Sequence, residues 1–466
     1  MRESRPQVLL GTAKQRRIQA RLEGVQLLAV AATLIPLFAL IADGGATGLE
    51  SIERWTSFIN RSSALVGTSL LLVHLILVAR VPWIEKVVGL DRLTSAHKKL
   101  GKPLMYLLGL HVISSVVSSA QQNKVDLLQS LVTLITHYPE MLIALIGFVL
   151  MIAVTVSSIK AARRKLSYEA WYVIHLLSYI AVLLSIPHQF AFGSTFLAEP
   201  LLSTYFATLY IFVLLNVVWF RSLHPVIRAL LRDFRVSQVT PAGNNSTSVT
   251  ISGKSIASLN FLSGQFFMVR VMTLKDFWKP HPFSASNSSG EGTLRFTIGN
   301  RGDFTSRMQT IKVGTRIVLE GPYGIFTEEK RTMQKVTLIA AGIGVAPIRS
   351  LAAQLATLPG DLTILYRTTS EQDAALADEL VKISAERGHT LHVLSGERDK
   401  KISWLPQLPE ASSNKPDYAV LTDLAPDILN SDIYICGPSQ WTASLLQTLS
   451  KLTLSKHQIH VEEFAW

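Results

Sequence analysis

Apolar positions are unevenly distributed along this chain. Up to about residue 220 they gather in long unbroken stretches, and beyond it they alternate with polar positions or recur in short runs. Six stretches reach the roughly 20 residues that a helix needs to cross a bilayer. They fall at about 25–43, 62–80, 100–119, 141–159, 170–187 and 201–220. After "WFRSLHPVIRALLRDFRV" the pattern turns to β-like runs, "STSVTIS", "QFFMVRVM", "TLRFTIGN" and "TRIVLEGPYG", separated by Gly, Asn and Ser clusters. These predict a small antiparallel barrel over about 234–330. From 335 onward strand-like and helix-like segments alternate, as in "KVTLIAAGIGVAPIRSLAAQLATL" and "DIYICGPSQWTASLLQTLSKL". That rhythm predicts a parallel, doubly wound sheet. The expected order is a lead (1–24), a six-helix α-helical membrane bundle (25–220), a linker (221–233), a β-barrel domain (234–332) and an α/β domain (333–466).

Charge sets the expected topology. Sixteen Lys and Arg lie in the lead and in the second-to-third and fourth-to-fifth connections, against Arg54, Arg61 and Lys124 on the other side. The positive-inside rule then places the N-terminus, those connections and the C-terminal half in the cytoplasm, with the bundle in the plasma (inner) membrane. The net charge of +12 therefore flanks membrane helices rather than marking a nucleic-acid binder. A hydrophobic content of 48% and a mean hydropathy of +0.30 fit a lipid bilayer as the main partner of the first half. The single cysteine, Cys436, excludes an intramolecular disulfide and a cysteine-held cluster.

Histidines stand inside the apolar stretches. "SAHKKLGKPLMYLLGLHVISS" carries His97 and His111, and "WYVIHLLSYIAVLLSIPHQF" carries His175 and His188. A step of 14 residues turns an ideal helix by about 40° net and advances it roughly 21 Å, so His97 and His111 share a face. A step of 13 turns it by about 140°, so His175 and His188 need a local irregularity to share one, and Pro187 offers it. Both helices run outward, which pairs His97 with His175 near the cytoplasmic side and His111 with His188 near the outer side. Two imidazoles on opposite faces of an iron are a bis-histidine haem ligand set. The plainer alternative is that such histidines only hydrogen-bond across helices. Four at matched depths favour two haems, whereas His74, lacking a partner at similar spacing, reads as a packing residue and His137 as a loop residue.

The second half carries smaller signals. In "HPFSAS", Pro282 pre-sets the backbone and Ser284 offers a hydroxyl. "GNRGDFT" brings Gly299, Gly302 and Thr305 to a strand end, where backbone N–H groups can approach a phosphate. "TLIAAGIGVAPIRS" leads a strand into Gly342-x-Gly344-x-x-Pro347 and a helix, an arrangement suited to pyrophosphate. "YICGPSQW" ends another strand with Cys436, Gly437 and Pro438. The C-terminal "VEEFAW" offers an aromatic ring that either fills a core or covers a planar group. Arg367 and Arg398 each follow a strand, where a guanidinium can grip a 2′-phosphate or simply face water.

In this order the pieces resemble the NADPH oxidase and ferric reductase superfamily in its compact bacterial form: a six-helix haem domain followed by a ferredoxin–NADP reductase-like module. The resemblance covers essentially the whole chain. It implies an FAD-binding barrel and an NAD(P)H-binding α/β domain. By resemblance His281, Pro282, Phe283 and Ser284 bind FAD, with Ser284 near its reactive nitrogen. Gly302 and Thr305 hold its phosphates, and Arg301 supplies the charge that related reductases place on a Lys where Gly299 stands. Gly342, Gly344 and Pro347 face the nucleotide pyrophosphate, and Cys436, Gly437 and Pro438 lie beside the nicotinamide. Phe464 covers the flavin, with Trp466 as a rival. The catalytic residues so implied are Ser284, Cys436 and Phe464. Electrons are expected to pass from cytoplasmic NADPH (NADH being the other candidate) through FAD and two b haems to an acceptor outside. Oxygen giving superoxide is the first expectation, with a ferric chelate or a periplasmic electron-accepting protein as alternatives. A transporter with a nucleotide sensor is the non-enzymatic alternative.

Overall fold

The computed structural model describes residues 11–159, 165, 166, 168–254, 256–273, 275–398, 403–407 and 415–463. Phe464 and Trp466 lie outside them. The chain divides into two compact units. One holds residues 24–81 and 92–221, and the other holds 82–91 and 222–466 with the described end of the lead.

Among the described residues six helices are long and apolar enough to cross a membrane. They begin with α1 (Thr12–Leu40), α2 (Ile52–Ile76) and, after a short α3 (Pro82–Val88), α4 (Leu90–Asn123). A second short helix, α5 (Leu127–His137), precedes α6 (Pro139–Ser158), α7 (Tyr168–Phe192) and α8 (Pro200–Asn216). Large apolar side chains such as Leu28, Phe38, Ile113, Val149, Ile180 and Leu201 are exposed, as lipid-facing residues are. Small residues let the helices approach: a β-carbon on Gly147 of α6 would lie 2.8 Å from the Ala181 carbonyl oxygen of α7.

Three local features differ from the sequence expectation. His137 is not in an irregular loop but ends α5, which Asp126 caps by accepting a hydrogen bond from the Gln129 N–H at 2.9 Å. Residues 221–233, expected as a linker, are helical as far as Leu231. The last part, α9 (His224–Leu231), tolerates Pro225 because it lies in the first turn, where its missing N–H costs nothing. Finally, α7 runs unbroken through Pro187.

The second unit has two lobes. The first is a six-stranded antiparallel sheet in the order β4-β3-β6-β1-β2-β5. Its strands are β1 (Phe234–Pro241), β2 (Ser246–Ser252), β3 (Phe266–Val271), β4 (His281–Ser284), β5 (Leu294–Gly299) and β6 (Arg316–Tyr323). A bridge between Ala285 and Phe296 joins the two end strands, so the sheet curls toward a closed barrel around Val249, Phe267, Phe296 and Leu319. The second lobe is a five-stranded parallel sheet in the order β11-β10-β7-β8-β9. These are β7 (Lys335–Ala341), β8 (Leu362–Thr368), β9 (Thr390–Ser395), β10 (Ser431–Gly437) and β11 (Ile459–Glu463). Its inner strand β10 is buried at every position, as expected for a strand covered on both faces.

Segment 82–91 packs within this unit. The Glu85 carboxylate accepts a 2.7 Å hydrogen bond from the buried Gly324 N–H, and burial pushes its carboxyl above the usual range. Leu90 packs with Phe266, Met268 and Tyr323.

Candidate functional site

The membrane unit brings its histidines together in two pairs. The rings of His97 and His175 are centred 6.1 Å apart, and those of His111 and His188 6.4 Å apart. A metal–nitrogen bond of about 2 Å, with about 1.1 Å from ring nitrogen to ring centre, taken on both sides, gives about 6.2 Å. The Nδ1 atoms of His97 and His111 each lie 3.2 Å from a carbonyl oxygen of α2, that of His74 and that of Asn60 respectively. A carbonyl only accepts, so both contacts require the proton on Nδ1 and leave the Nε2 lone pair for a metal. On α7, the His175 Nδ1 lies 3.5 Å from the Ser158 hydroxyl, which also accepts from the Trp171 indole at 3.2 Å. The donor set therefore fits an iron held between two imidazoles at each level.

Two further residues lie beside these pairs, His74 as the packing residue expected and Arg61 in a place that the sequence did not give it. His74 stands in the last turn of α2 with its ring centre 3.7 Å from that of His97. Arg61, first counted only as a loop charge, lines a cavity of about 250 Å³ together with Asn60, His111, Phe148, His188 and Phe196. Its Nε donates to the Thr195 hydroxyl at 2.8 Å. Nothing in the sequence marked it, because Asn60 serves His111 through a backbone carbonyl.

In the barrel lobe, "HPFS" is itself strand β4, paired through β3 to β6: Ser284 stands opposite Phe266, and Phe266 opposite Tyr323. The Ser284 hydroxyl is buried with no hydrogen-bond partner among the described residues, as is the His281 Nε2. Such orphan groups fit a polar ligand such as a flavin. The His281 ring stacks on Phe304 with centres 3.6 Å apart. Burial, aided by Lys279 and Arg307 and opposed by Asp276, pushes its imidazole down to about 4. Phe283 is half-buried against the barrel core. Thr305 shapes its own turn, accepting from the Arg301 N–H at 2.9 Å and donating to the Gly302 carbonyl at 2.8 Å, while Arg301 is exposed.

In the nucleotide lobe, the two glycines of the Gly342-x-Gly344 turn have different tasks. Gly342 has φ +52°, and a side chain there would meet no atom of the described residues within 4 Å, which leaves its backbone open to a phosphate. A β-carbon on Gly344 would lie 2.2 Å from the Cys436 carbonyl oxygen, so this glycine seats the turn against "YICGP". Gly437 in turn packs under Trp441, which stands in helix Ser439–Leu449 behind Pro438. Pro347 is buried in the first turn of helix Val345–Gln354. Cys436 is fully buried, and burial, with the Glu462 carboxylate beside it, pushes its thiol well above the usual range. Arg367 is buried and donates to the Thr368 carbonyl, with its Nε unpartnered among the described residues. Arg398 is held by the Ser403 carbonyl at 3.2 Å and the Ser444 hydroxyl at 3.0 Å. Burial and the nearby Arg398 lower the pKa of Arg367.

Comparison with known proteins gives three family matches in sequence order. Residues 63–186 match the ferric reductase like transmembrane component, 232–327 an FAD-binding domain, and 338–445 an oxidoreductase NAD-binding domain. That succession is the domain architecture of the NADPH oxidase and ferric reductase superfamily, with a ferredoxin–NADP reductase-like module behind a multi-pass membrane component. Among curated proteins, the reductase component of propane 2-monooxygenase from Rhodococcus jostii is 25% identical over 246 residues, covering 49% of this chain and 62% of that protein. The electron transfer component of toluate 1,2-dioxygenase from Pseudomonas putida is 26% identical over 239 residues, 49% of this chain and 66% of its own. The chain thus spans about three-fifths of the length of these relatives. Among solved structures, the FAD/NAD-binding domain of nitric oxide dioxygenase from Vibrio cholerae matches 50% of this chain and 98% of its own at 23% identity and TM-score 0.40.

Proposed function

We propose that the protein carries electrons across a membrane, from cytoplasmic NAD(P)H to an acceptor on the outer side. The observation that supports this best is the pair of facing imidazole sets, 6.1 and 6.4 Å between ring centres, in a chain that also has FAD- and NAD-binding domains. His97 and His175 hold the inner haem, and His111 and His188 the outer one. Ser284 donates its hydroxyl hydrogen bond to the flavin, and Cys436 lines the nicotinamide place as a neutral thiol. Bound FAD supplies the change from two-electron to one-electron chemistry, and haem iron a one-electron relay.

The outer acceptor is oxygen, reduced to superoxide. With the N-terminus in the cytoplasm, the outer helix ends and the connections between them carry six acidic residues, Asp43, Glu50, Glu53, Asp126, Glu140 and Glu199, against Arg54, Arg61 and Lys124. A field of that sign repels an anionic ferric chelate and is indifferent to a neutral gas. The test is the absorption spectrum of the purified protein, followed by NADPH-dependent reduction of oxygen and of ferric citrate side by side. Absence of a haem band overturns the relay. Turnover with ferric citrate alone replaces the acceptor, and turnover that needs an added periplasmic protein makes the chain an electron-delivery subunit.

A further inference from the structure

The seam between the barrel lobe and the nucleotide lobe holds four charged side chains in alternating sign. Arg295, on β5 of the barrel lobe, grips Glu379 with two parallel bonds, Nη1 to Oε1 at 2.7 Å and Nη2 to Oε2 at 2.8 Å. Glu379 stands on helix Ala377–Arg387 of the nucleotide lobe. Its Oε2 also accepts from the Arg349 Nε at 2.7 Å, and Arg349 returns across the seam to Glu291 of the barrel lobe at 3.1 Å. One carboxylate thus takes three charge-assisted bonds from both lobes, in a partly desolvated place where such bonds are strongest.

Each arginine is rooted beside a cofactor segment. Arg295 bonds the Ser286 carbonyl at 3.1 Å and the Ser286 hydroxyl at 3.2 Å, two residues past Ser284. Arg349 lies in the helix that leaves the Gly342-x-Gly344 turn, two residues past Pro347. Hydride transfer needs the reacting atoms at about 3–3.5 Å, and a displacement of 1 Å costs on the order of a hundredfold in rate. Flavin and nicotinamide are held by different lobes, so the angle between lobes sets that distance.

We propose that Glu379 is a positioning residue for hydride transfer, holding the two lobes at the angle that brings nicotinamide onto the flavin. The assignment rests on the reading of these lobes as the FAD and NAD(P)H sites. Neutral bonds also cross the seam: the Ser350 hydroxyl lies 2.9 Å from the Asn287 carbonyl oxygen and 2.9 Å from the Ser263 hydroxyl. Loss of Glu379 therefore loosens the seam without parting it.

The experiment uses the full-length, FAD-loaded protein under anaerobic conditions and follows flavin reduction by NADPH in single turnover. Glu379→Gln keeps the shape and removes the charge. The expected result is a limiting reduction rate lowered about tenfold to a hundredfold. The half-saturating NADPH concentration, the FAD content and the melting temperature stay near those of the unmodified protein, and Glu379→Asp recovers part of the rate. Arg349→Lys, which keeps the charge and loses the fork, is the second variant and is expected to fall between. An unchanged limiting rate in both variants overturns the clamp. So does a rate that falls only as far as FAD is lost or the fold melts, since that is a merely structural role. Failure of both NADPH and NADH to reduce the flavin of the unmodified protein overturns the electron-transfer reading itself, and the clamp with it.

Discussion

The Nδ1 of His111 lies 3.2 Å from the carbonyl oxygen of Asn60, and fourteen residues along both helices the same contact recurs between His97 and His74. α2 and α4 therefore run antiparallel with equal steps, and α2 fixes the tautomer of an imidazole at each level.

From this follows the haem prediction. His111→Ala or His188→Ala removes the outer haem and leaves the inner one, and His97→Ala or His175→Ala does the reverse, so total haem falls to about half in each. Haem extracted per protein, with the surviving spectrum, checks it. Full two-haem content in all four variants would show that these pairs hold no iron.

Ser284→Ala is expected to slow flavin reduction by NADPH more than it weakens FAD binding, because the orphan hydroxyl is assigned to the reacting end of the flavin. Anaerobic single-turnover reduction, set beside FAD content after gel filtration, separates the two. Equal reduction rates in variant and unmodified protein would remove Ser284 from the reaction.

Arg367 and Arg398 are held by protein groups rather than free in water, and their contact with a 2′-phosphate is the proposal under test. Arg367→Ala is expected to raise KM for NADPH about tenfold or more and to leave that for NADH nearly unchanged. Steady-state kinetics with both nucleotides decide it, and equal kinetics in the unmodified protein end the preference for NADPH.

His281 gives a pH dependence of stability. Its folded value near 4 lies below the ordinary histidine value of about 6.5, so the unfolded chain binds the proton more readily. The contribution to stability is full above about 6.5 and is lost progressively as pH falls toward 4. His281→Phe, which keeps a ring on Phe304, is expected to flatten the drop in melting temperature between pH 7 and pH 5. An identical slope in the variant would place the titration elsewhere.

Cys436 has no exposed surface and a thiol pushed above its usual range, so little thiolate forms near neutrality. A thiol reagent at pH 8 is expected to leave the folded protein unlabelled and to label it once unfolded. Rapid labelling of the native state would contradict the burial.

The membrane helices were legible because apolar length is a local property of the sequence. α5 was not: "LLQSLVTLITH" is too short to span, and its helix depends on the Asp126 cap and on α4, where the Ser130 hydroxyl reaches the Val116 carbonyl at 3.2 Å. The histidine pairing was read from depth alone, while the α2 carbonyls that orient two of the four rings carry no side-chain signature. Gly344 was legible as an obligatory glycine, but the sequence pointed to pyrophosphate where the structure shows the Cys436 carbonyl. The Glu379 network joins residues 84 and 30 positions apart, and charges on a solvated helix look no different in sequence.

The placement of segment 82–91 bears on how this protein can be divided. A soluble fragment begun at residue 222 would retain every strand of both lobes, yet it would lack the Glu85 carboxylate that pairs the buried Gly324 amide and the Leu90 side chain that covers Phe266, Met268 and Tyr323. Such a truncation uncovers an oily patch and an unsatisfied donor on the strand row that carries Ser284. Supplying residues 82–91 as a tethered or added peptide is therefore the natural remedy for a reductase fragment that aggregates or loses its flavin.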